Sequence, residues 1–304
     1  MLVWEKLEPL PEKYWNGAVS VGNFDGVHRG HAAILEKITH RGVPSVVFTF
    51  QPHPVRILAP EKAPRQLTWP LRKVELLERL GVDAVVFCPT SPAFLQQNAE
   101  TFFQKVLRDL LHAKIVVEGE NFHFGKNREG TPQRMQAWCQ THGMEFQIVE
   151  SVWLDGAIVS STRVRQLISE GHIQEANRLL TQPYRTCGTV AHGEARGRTF
   201  GFPTANLEKV PTLLPAQGIY ACRALVDGQI FPAAVHVGPN VTFHENETKV
   251  EAYLLDFSGD LYGKTLTLEW LAKLRETVAF SSVEMLAKQI QKDIQNVRQV
   301  ISAG

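Results

Sequence analysis

The sequence predicts an α/β unit built on a parallel sheet, followed by a smaller antiparallel β-barrel that closes on a terminal α-helix. Three observations point there. Short Val-, Ile- and Phe-rich runs alternate with amphipathic helical patterns up to about residue 180, which is the rhythm of a parallel sheet covered on both faces. After Pro183 closely spaced strand candidates take over, as in a small barrel or sandwich. The C-terminal segment then carries Leu286, Ile290, Ile294, Val297 and Ile301 on one helical stripe. At roughly 150 residues per domain, a chain of 304 residues holds two, and the change of rhythm sets them at 1–182 and 183–304.

Taken in order, residues 18–21 are apolar and lead through a Gly-rich turn into a helix expected over 32–40. Residues 43–50, 82–88, 114–118 and 146–150 are short apolar runs suited to strands buried on both faces. Leu71, Val74, Leu77 and Leu80 recur at helical spacing just after Pro70. Asn98 is placed to cap a helix that buries Phe102, Val106, Leu107 and Leu110. In the second half the strands are expected at 218–226, 229–237, 250–257 and 265–270, with Asp227-Gly228 forming a two-residue hairpin turn. Ser281 followed by Glu284 reads as a capping box for the last helix.

Composition narrows the function. Hydrophobic residues at 44% and charged residues at 21% exclude a disordered or fibrous chain. Lys plus Arg number 32 against 31 Asp plus Glu, so no broad basic face exists for a nucleic-acid backbone and an anionic ligand must be held by local geometry. The longest apolar runs, such as 84–88, are far too short to span a bilayer, and the start lacks the basic-then-apolar pattern of a secretory signal. Cys88, Cys139, Cys187 and Cys222 are scattered without a C-x-x-C, the usage of a reducing cytoplasm rather than of a disulfide frame or zinc site. A soluble cytoplasmic enzyme of small molecules, monomeric or homo-oligomeric, is the expectation.

The chemistry concentrates in a few strings. The first, Ala18 to His31, reads Ala-Val-Ser-Val-Gly-Asn-Phe-Asp-Gly-Val-His-Arg-Gly-His. Gly22 and Gly30 let a nucleotide approach the backbone, and the helix start offers N–H groups to phosphate. His28 and His31, three apart, share a face and can donate to phosphate oxygens as charge builds at phosphorus. With 11 His in 304 residues an H-x-x-H pair arises by chance about 0.4 times, so the surrounding string carries the weight. A second Gly-rich string runs from Gly188 to Leu207, with Gly193, Gly197, Arg198 and Gly201 forming a flexible phosphate flap. Gly259 to Thr265 imitates a P-loop but has one residue too few between its glycines and precedes a strand.

These strings resemble the bifunctional bacterial riboflavin kinase/FAD synthetases (riboflavin kinase/FMN adenylyltransferases). In the first half the resemblance rests on the Gly22–His31 turn, Phe50-Gln-Pro-His-Pro54, Gly119-Glu-Asn-Phe-His-Phe-Gly125 and Val159-Ser-Ser-Thr-Arg-Val-Arg165. In the second it rests on Gly188–Leu207 and on Lys249–Gly263. The resemblance implies a Rossmann-like nucleotidyltransferase half that joins FMN to AMP from ATP, and a barrel that phosphorylates riboflavin. It implies His28 and His31 at the transferring phosphate. Gly22, Phe24, Gly30, Asn121, Ser161, Thr162 and Arg165 would hold nucleotide, the last three at the β and γ phosphates. Pro52, His53, Pro54 and Phe124 would meet flavin. In the barrel it implies Gly193, Gly197, Arg198 and Gly201 over ATP, Thr204 and Asn206 on Mg²⁺, and Glu251 as general base. Asp25 would orient the histidine turn or face Mg²⁺. The chain departs from the pattern at His236-Val-Gly-Pro-Asn-Val241, where the family has Asn-Ile-Gly-x-Arg-Pro; Lys249 is a candidate to restore the lost positive charge. That departure sets up the second reading, an adenylyltransferase whose barrel only binds flavin.

Overall fold

The computed structural model describes residues 1–192, 202–239 and 248–303. Two compact units emerge, residues 1–64 with 70–160, and residues 65–69 with 161 onward.

The first unit holds a parallel sheet of β1 (Leu2–Trp4), β2 (Ala18–Val21), β3 (Ser45–Gln51), β4 (Ala84–Pro89), β5 (Ile115–Gly119) and β6 (Glu145–Val149). Their order is β1-β4-β3-β2-β5-β6, with every neighbouring pair parallel. Side chains alternate between faces along each strand, and two cores result. On one side Val19, Val46, Phe48, Val86 and Val116 pack with Phe94, Phe102, Phe103 and Leu107. On the other Val47, Val85 and Val117 pack with Leu35, Ile38, Leu76 and Leu77. The helices supplying those layers are α1 (Arg29–Thr39), α3 (Pro70–Arg79), α4 (Pro92–Leu95), α5 (Ala99–Phe102) and α6 (Pro132–Thr141), while the short α2 (Pro54–Leu58) buries no residue.

Several expectations shift on inspection. Helix α1 starts three residues early because His28 caps it. In α3 the buried face is Arg72, Lys73, Leu76 and Leu77, while Leu71 is 76% exposed. A count of apolar letters missed it because two of its members are cationic. β6 lies at the sheet edge and buries only Phe146, with Ile148 exposed, rather than being covered on both faces. β1, on the opposite edge, carried too few residues to be predicted. Asn98 caps α5 as expected, its Oδ1 accepting the Thr101 N–H at 2.7 Å, but residues 103–110 continue with i→i+5 hydrogen bonds.

The second unit is a closed barrel of β9 (Arg185–Ala191), β10 (Ala205–Glu208), β11 (Gly218–Val226), β12 (Gln229–Gly238), β13 (Lys249–Leu254) and β14 (Thr265–Arg275), ordered β10-β13-β12-β11-β14-β9 and back to β10. All its pairings are antiparallel. A small hairpin, β7 (Trp153–Leu154) with β8 (Ala157–Ile158), belongs to the first unit. Asp227 and Gly228 both take positive φ, as the β11–β12 turn demands. The interior centres on Trp270, whose Nε1 donates to the Thr186 hydroxyl at 3.1 Å, with Tyr220 edge-on to it.

Helices α7 (Ser161–Glu170) and α8 (Ile173–Leu179) pack in this second unit. Asn177 explains why: its Nδ2 donates to the Trp270 carbonyl and its Oδ1 accepts the Tyr184 N–H, both at 2.8 Å. The terminal helix α9 (Val283–Ala303) buries Val297 against the barrel and is pinned by Asp293, which receives Nε and Nη2 of Arg275 at 3.0 and 2.8 Å. Its cap is Ser282 rather than the expected Ser281: the Ser282 hydroxyl accepts from Met285 N, whereas Ser281 reaches the Met285 sulfur.

Candidate active sites

In the first unit the chain runs from β2 outward to β3 and β4 on one side, then returns to place β5 on the other. The reversal falls between β2 and β5, and parallel sheets bind ligands beyond the carboxyl ends of the strands at such a point. β2 and β5 pair only at Ala18–Ile115 and Val19–Val116. Beyond that the strands part, and the Val21 N–H would be orphaned in the core. Glu118 closes the gap, its Oε1 accepting that N–H at 2.6 Å. The carboxyl is fully buried, and loss of hydration pushes its pKa well above the usual range, against the opposing pull of the Val21 bond.

The turn after β2 is built under strain. Phe24, Gly26 and Val27 all take positive φ, a conformation that a β-branched residue adopts only when its surroundings impose it. Phe24 is buried beneath the turn. His28 follows as the cap of α1, its Nδ1 accepting the His31 N–H at 3.3 Å. That bond places the proton of a neutral His28 on Nε2, so the outer nitrogen is a donor. The His28 and His31 rings stack at 3.6 Å, with Phe24 tilted at 5.0 Å from His31. The pair is therefore cap and first-turn residue rather than two positions within a helix, but its rings do lie together. A Cβ on Gly30 would lie 3.1 Å from the His28 ring, and one on Gly22 would lie 3.1 Å from Phe24. These glycines make room for the rings of the turn itself.

The neighbouring strand ends supply the other expected residues. Pro52, His53 and Pro54 follow β3, where His53 Nδ1 caps α2 by accepting the Val55 N–H at 3.2 Å. Asn121 is exposed after β5. Phe124 is 6% exposed, and its ring contacts, with Phe102, Phe122 and Trp138, all face the core; the flavin contact expected there meets a ring already packed. Ser161, Thr162 and Arg165 belong to the second compact unit, Ser161 opening α7 and Arg165 donating Nε to the Arg65 carbonyl at 2.9 Å.

In the barrel, register pairing lines Asn206 of β10 beside Glu251 of β13, and Glu251 beside His236 of β12. Paired residues share a face, so amide, carboxylate and imidazole form one row. His236 Nδ1 lies 3.5 Å from Glu251 Oε2. Flanking residues Ala205, Leu207, Val250, Ala252, Val235 and Val237 are buried, which fixes the row's direction by strand alternation. Thr204 lies exposed just before β10. Gly193, Gly197, Arg198 and Gly201, with Asn240 and Val241, lie outside the described residues. The rejected P-loop look-alike does lead into β14 rather than a helix.

Family models match both halves: FAD synthetase over residues 11–163 and riboflavin kinase over residues 180–301. The chain belongs to the bifunctional riboflavin kinase/FMN adenylyltransferase family. A relative of that description from Listeria monocytogenes is 34% identical over 300 residues, covering 95% of each chain. One from Pseudomonas fluorescens is 36% identical, over 96% of this chain and 95% of its own. One from Escherichia coli K12 is 34% identical over 90% of each. A crystal structure from Streptococcus pneumoniae, solved as a macrolide-efflux protein, superposes with a TM-score of 0.87 at 31% identity, covering 98% of this chain and 99% of its own. Among the described residues no helix is long and apolar enough to cross a membrane. Two residues of these sites escaped sequence reading, Lys73 and Glu118. Both were visible as charges in apolar slots: Glu118 ends a run of Ile and Val, and Lys73 stands at i−3 and i−4 from Leu76 and Leu77.

Proposed function

We propose that this family member carries out both steps of flavin-cofactor assembly, with residues 1–182 as the FMN adenylyltransferase and 183–304 as the riboflavin kinase. The observation that carries the reading is the match of one family model to each half; it favours the two-step enzyme over an adenylyltransferase with an idle barrel.

In the first half an FMN phosphate oxygen forms a bond to the α-phosphorus of ATP as the bond to the β-phosphate breaks and pyrophosphate leaves. No nucleophile from the protein is needed, so its contribution is alignment and stabilisation of charge. His28 Nε2–H and the adjoining His31 ring serve the transferring phosphate, and the Ser161-Thr162-Arg165 string is assigned to the β and γ phosphates on its sequence resemblance. In the barrel the riboflavin 5′-hydroxyl oxygen bonds to the γ-phosphorus of ATP, ADP departs and Glu251 takes the hydroxyl proton. Among the described residues no three His, Cys, Asp or Glu side chains gather into a metal cage. The hydroxyl of Thr204 and the amide oxygen of Asn206 instead suit Mg²⁺, a hard cation that keeps water and binds mainly through substrate phosphates, where it offsets their charge. Both reactions use small molecules, and the cysteines, all free thiols, suit the cytoplasm.

The test is a pair of substitutions assayed by chromatography of flavins after incubation with ATP and Mg²⁺. His28→Ala is expected to abolish FMN-to-FAD conversion while riboflavin is still phosphorylated; Glu251→Gln is expected to do the reverse. Loss of both activities in either variant, or unchanged phosphorylation by Glu251→Gln, contradicts the assignment.

A further inference from the structure

Beneath the strained turn of the first unit lies a lysine that no step of the proposed chemistry uses. Lys73, on α3, is 7% exposed. Its Nζ donates to the Asn23 carbonyl at 2.7 Å and to the Thr49 hydroxyl at 3.2 Å, and the same hydroxyl donates to the Asn23 carbonyl at 3.2 Å. Asn23 immediately precedes Phe24, the first of the positive-φ residues. A triangle of helix, strand end and turn is therefore closed on one peptide carbonyl. The aromatic face of Phe87 on β4 lies 5.9 Å from Nζ, and Asp25 is the charge that acts on it from the turn.

Burying an ammonium is expensive, and a packed core would normally place an aliphatic residue at such a site. The spacing 73, 76, 77 on α3 is that of core positions. Here the ammonium replaces an apolar group and fixes the one backbone oxygen from which the strained turn departs. We propose that Lys73 is a positioning residue for adenylyl transfer, holding the Asn23 carbonyl so that residues 24–28 deliver the His28 ring to the transferring phosphate. The inference rests on the assignment of FAD formation to the His28–His31 turn. Burial lowers the Lys73 pKa to about 8, with Asp25 opposing the shift, so the clamp loses its charge in an accessible range. Around the ammonium β3 presents Thr49, β4 the Phe87 ring and the turn Asp25, while on α3 itself Arg72 is paired with Glu75 at 2.7 Å.

The experiment uses the full chain: kinase activity reports that the barrel is intact, and a urea unfolding curve with the parent's first-unit transition reports that the unit holding Lys73 is folded. Lys73→Met and Lys73→Arg are assayed for both activities across pH 6–10, beside His28→Ala. Misplacing a reacting group by about 1 Å costs on the order of 100-fold in rate. Lys73→Met is expected to lower kcat for FAD formation by about 10- to 100-fold while riboflavin phosphorylation stays within about twofold of the parent. The alkaline fall of kcat seen in the parent is expected to vanish in Lys73→Met and to move upward in Lys73→Arg, whose guanidinium stays charged. FAD formation within twofold of the parent in Lys73→Met, or loss of both activities in step, overturns the proposal and makes Lys73 a core residue. If instead His28→Ala leaves FAD formation intact, the site assignment itself fails, an outcome distinct from the first.

Discussion

Individual side chains in the first unit act by satisfying backbone groups that the strand geometry abandons. Glu118 is the clearest case, because the splay between β2 and β5 leaves the Val21 N–H with no strand partner and the carboxyl supplies one at 2.6 Å. Its pKa is raised in the native state by burial. Between the ordinary glutamate value of 4.5 and its native value the folded chain binds the extra proton, so stability contributed by Glu118 is complete at low pH and is lost as pH rises through that window. Glu118→Gln, which keeps a carbonyl acceptor without a titrating proton, is expected to remove this loss, so in urea unfolding the variant gains on the parent as pH rises above the ordinary glutamate value of 4.5. Glu118→Ala leaves a buried donor unpaired and is expected to cost about 1–3 kcal/mol at low pH, where the carboxyl of the parent contributes fully. Equal pH slopes for parent and Glu118→Gln would exclude the mechanism.

At the level of elements, periodicity was a dependable guide wherever burial and hydrophobicity coincide. The runs at 43–50, 82–88 and 114–118 became β3, β4 and β5, and the Asp227-Gly228 turn fell between β11 and β12 as read. It failed where a charged group occupies a core slot or an edge is half solvated. Helix α3 turns its Arg72 and Lys73 inward, β6 buries only Phe146, and β1 has only three residues. His28, Glu251 and Asn206 could be singled out as candidates because they sit in strings of recognisable order, and the fold sets His28 beside His31 and Asn206 beside Glu251. The Lys73 clamp could not be, because it joins residues 24 and 50 positions apart whose meeting only the tertiary fold decides. The last helix offers a test at this scale. Asp293 is 4% exposed on its side chain and takes a bidentate bond from Arg275 of β14. Asp293→Ala strands that guanidinium and is expected to destabilise the barrel by roughly 3 kcal/mol, read as a lower urea midpoint for the loss of kinase activity.

For the whole molecule, the proposal of two sites with separate chemistry implies that FMN can pass between protein copies through solution. Mixing equal amounts of the His28→Ala and Glu251→Gln proteins with riboflavin and ATP is therefore expected to restore FAD, the first supplying FMN and the second consuming it. The doubly substituted chain is expected to form neither product. Absence of FAD from the mixture, with each single variant retaining its own remaining activity, would mean that FMN does not exchange.

The order of strands in the first unit also governs when this protein can fold. The central strand β2 sits between β3 and β5, and its Ala18 pairs with Ile115, so it leaves the ribosome almost a hundred residues ahead of one of its two neighbours. β1 waits similarly for β4, Leu2 pairing with Ala84. Pairings so distant along the chain form slowly, and until residue 119 has been made one hydrogen-bonding edge of β2 lacks its partner strand. A nascent chain stalled before that point should display protease-sensitive, chaperone-binding surface, and one released past it should not.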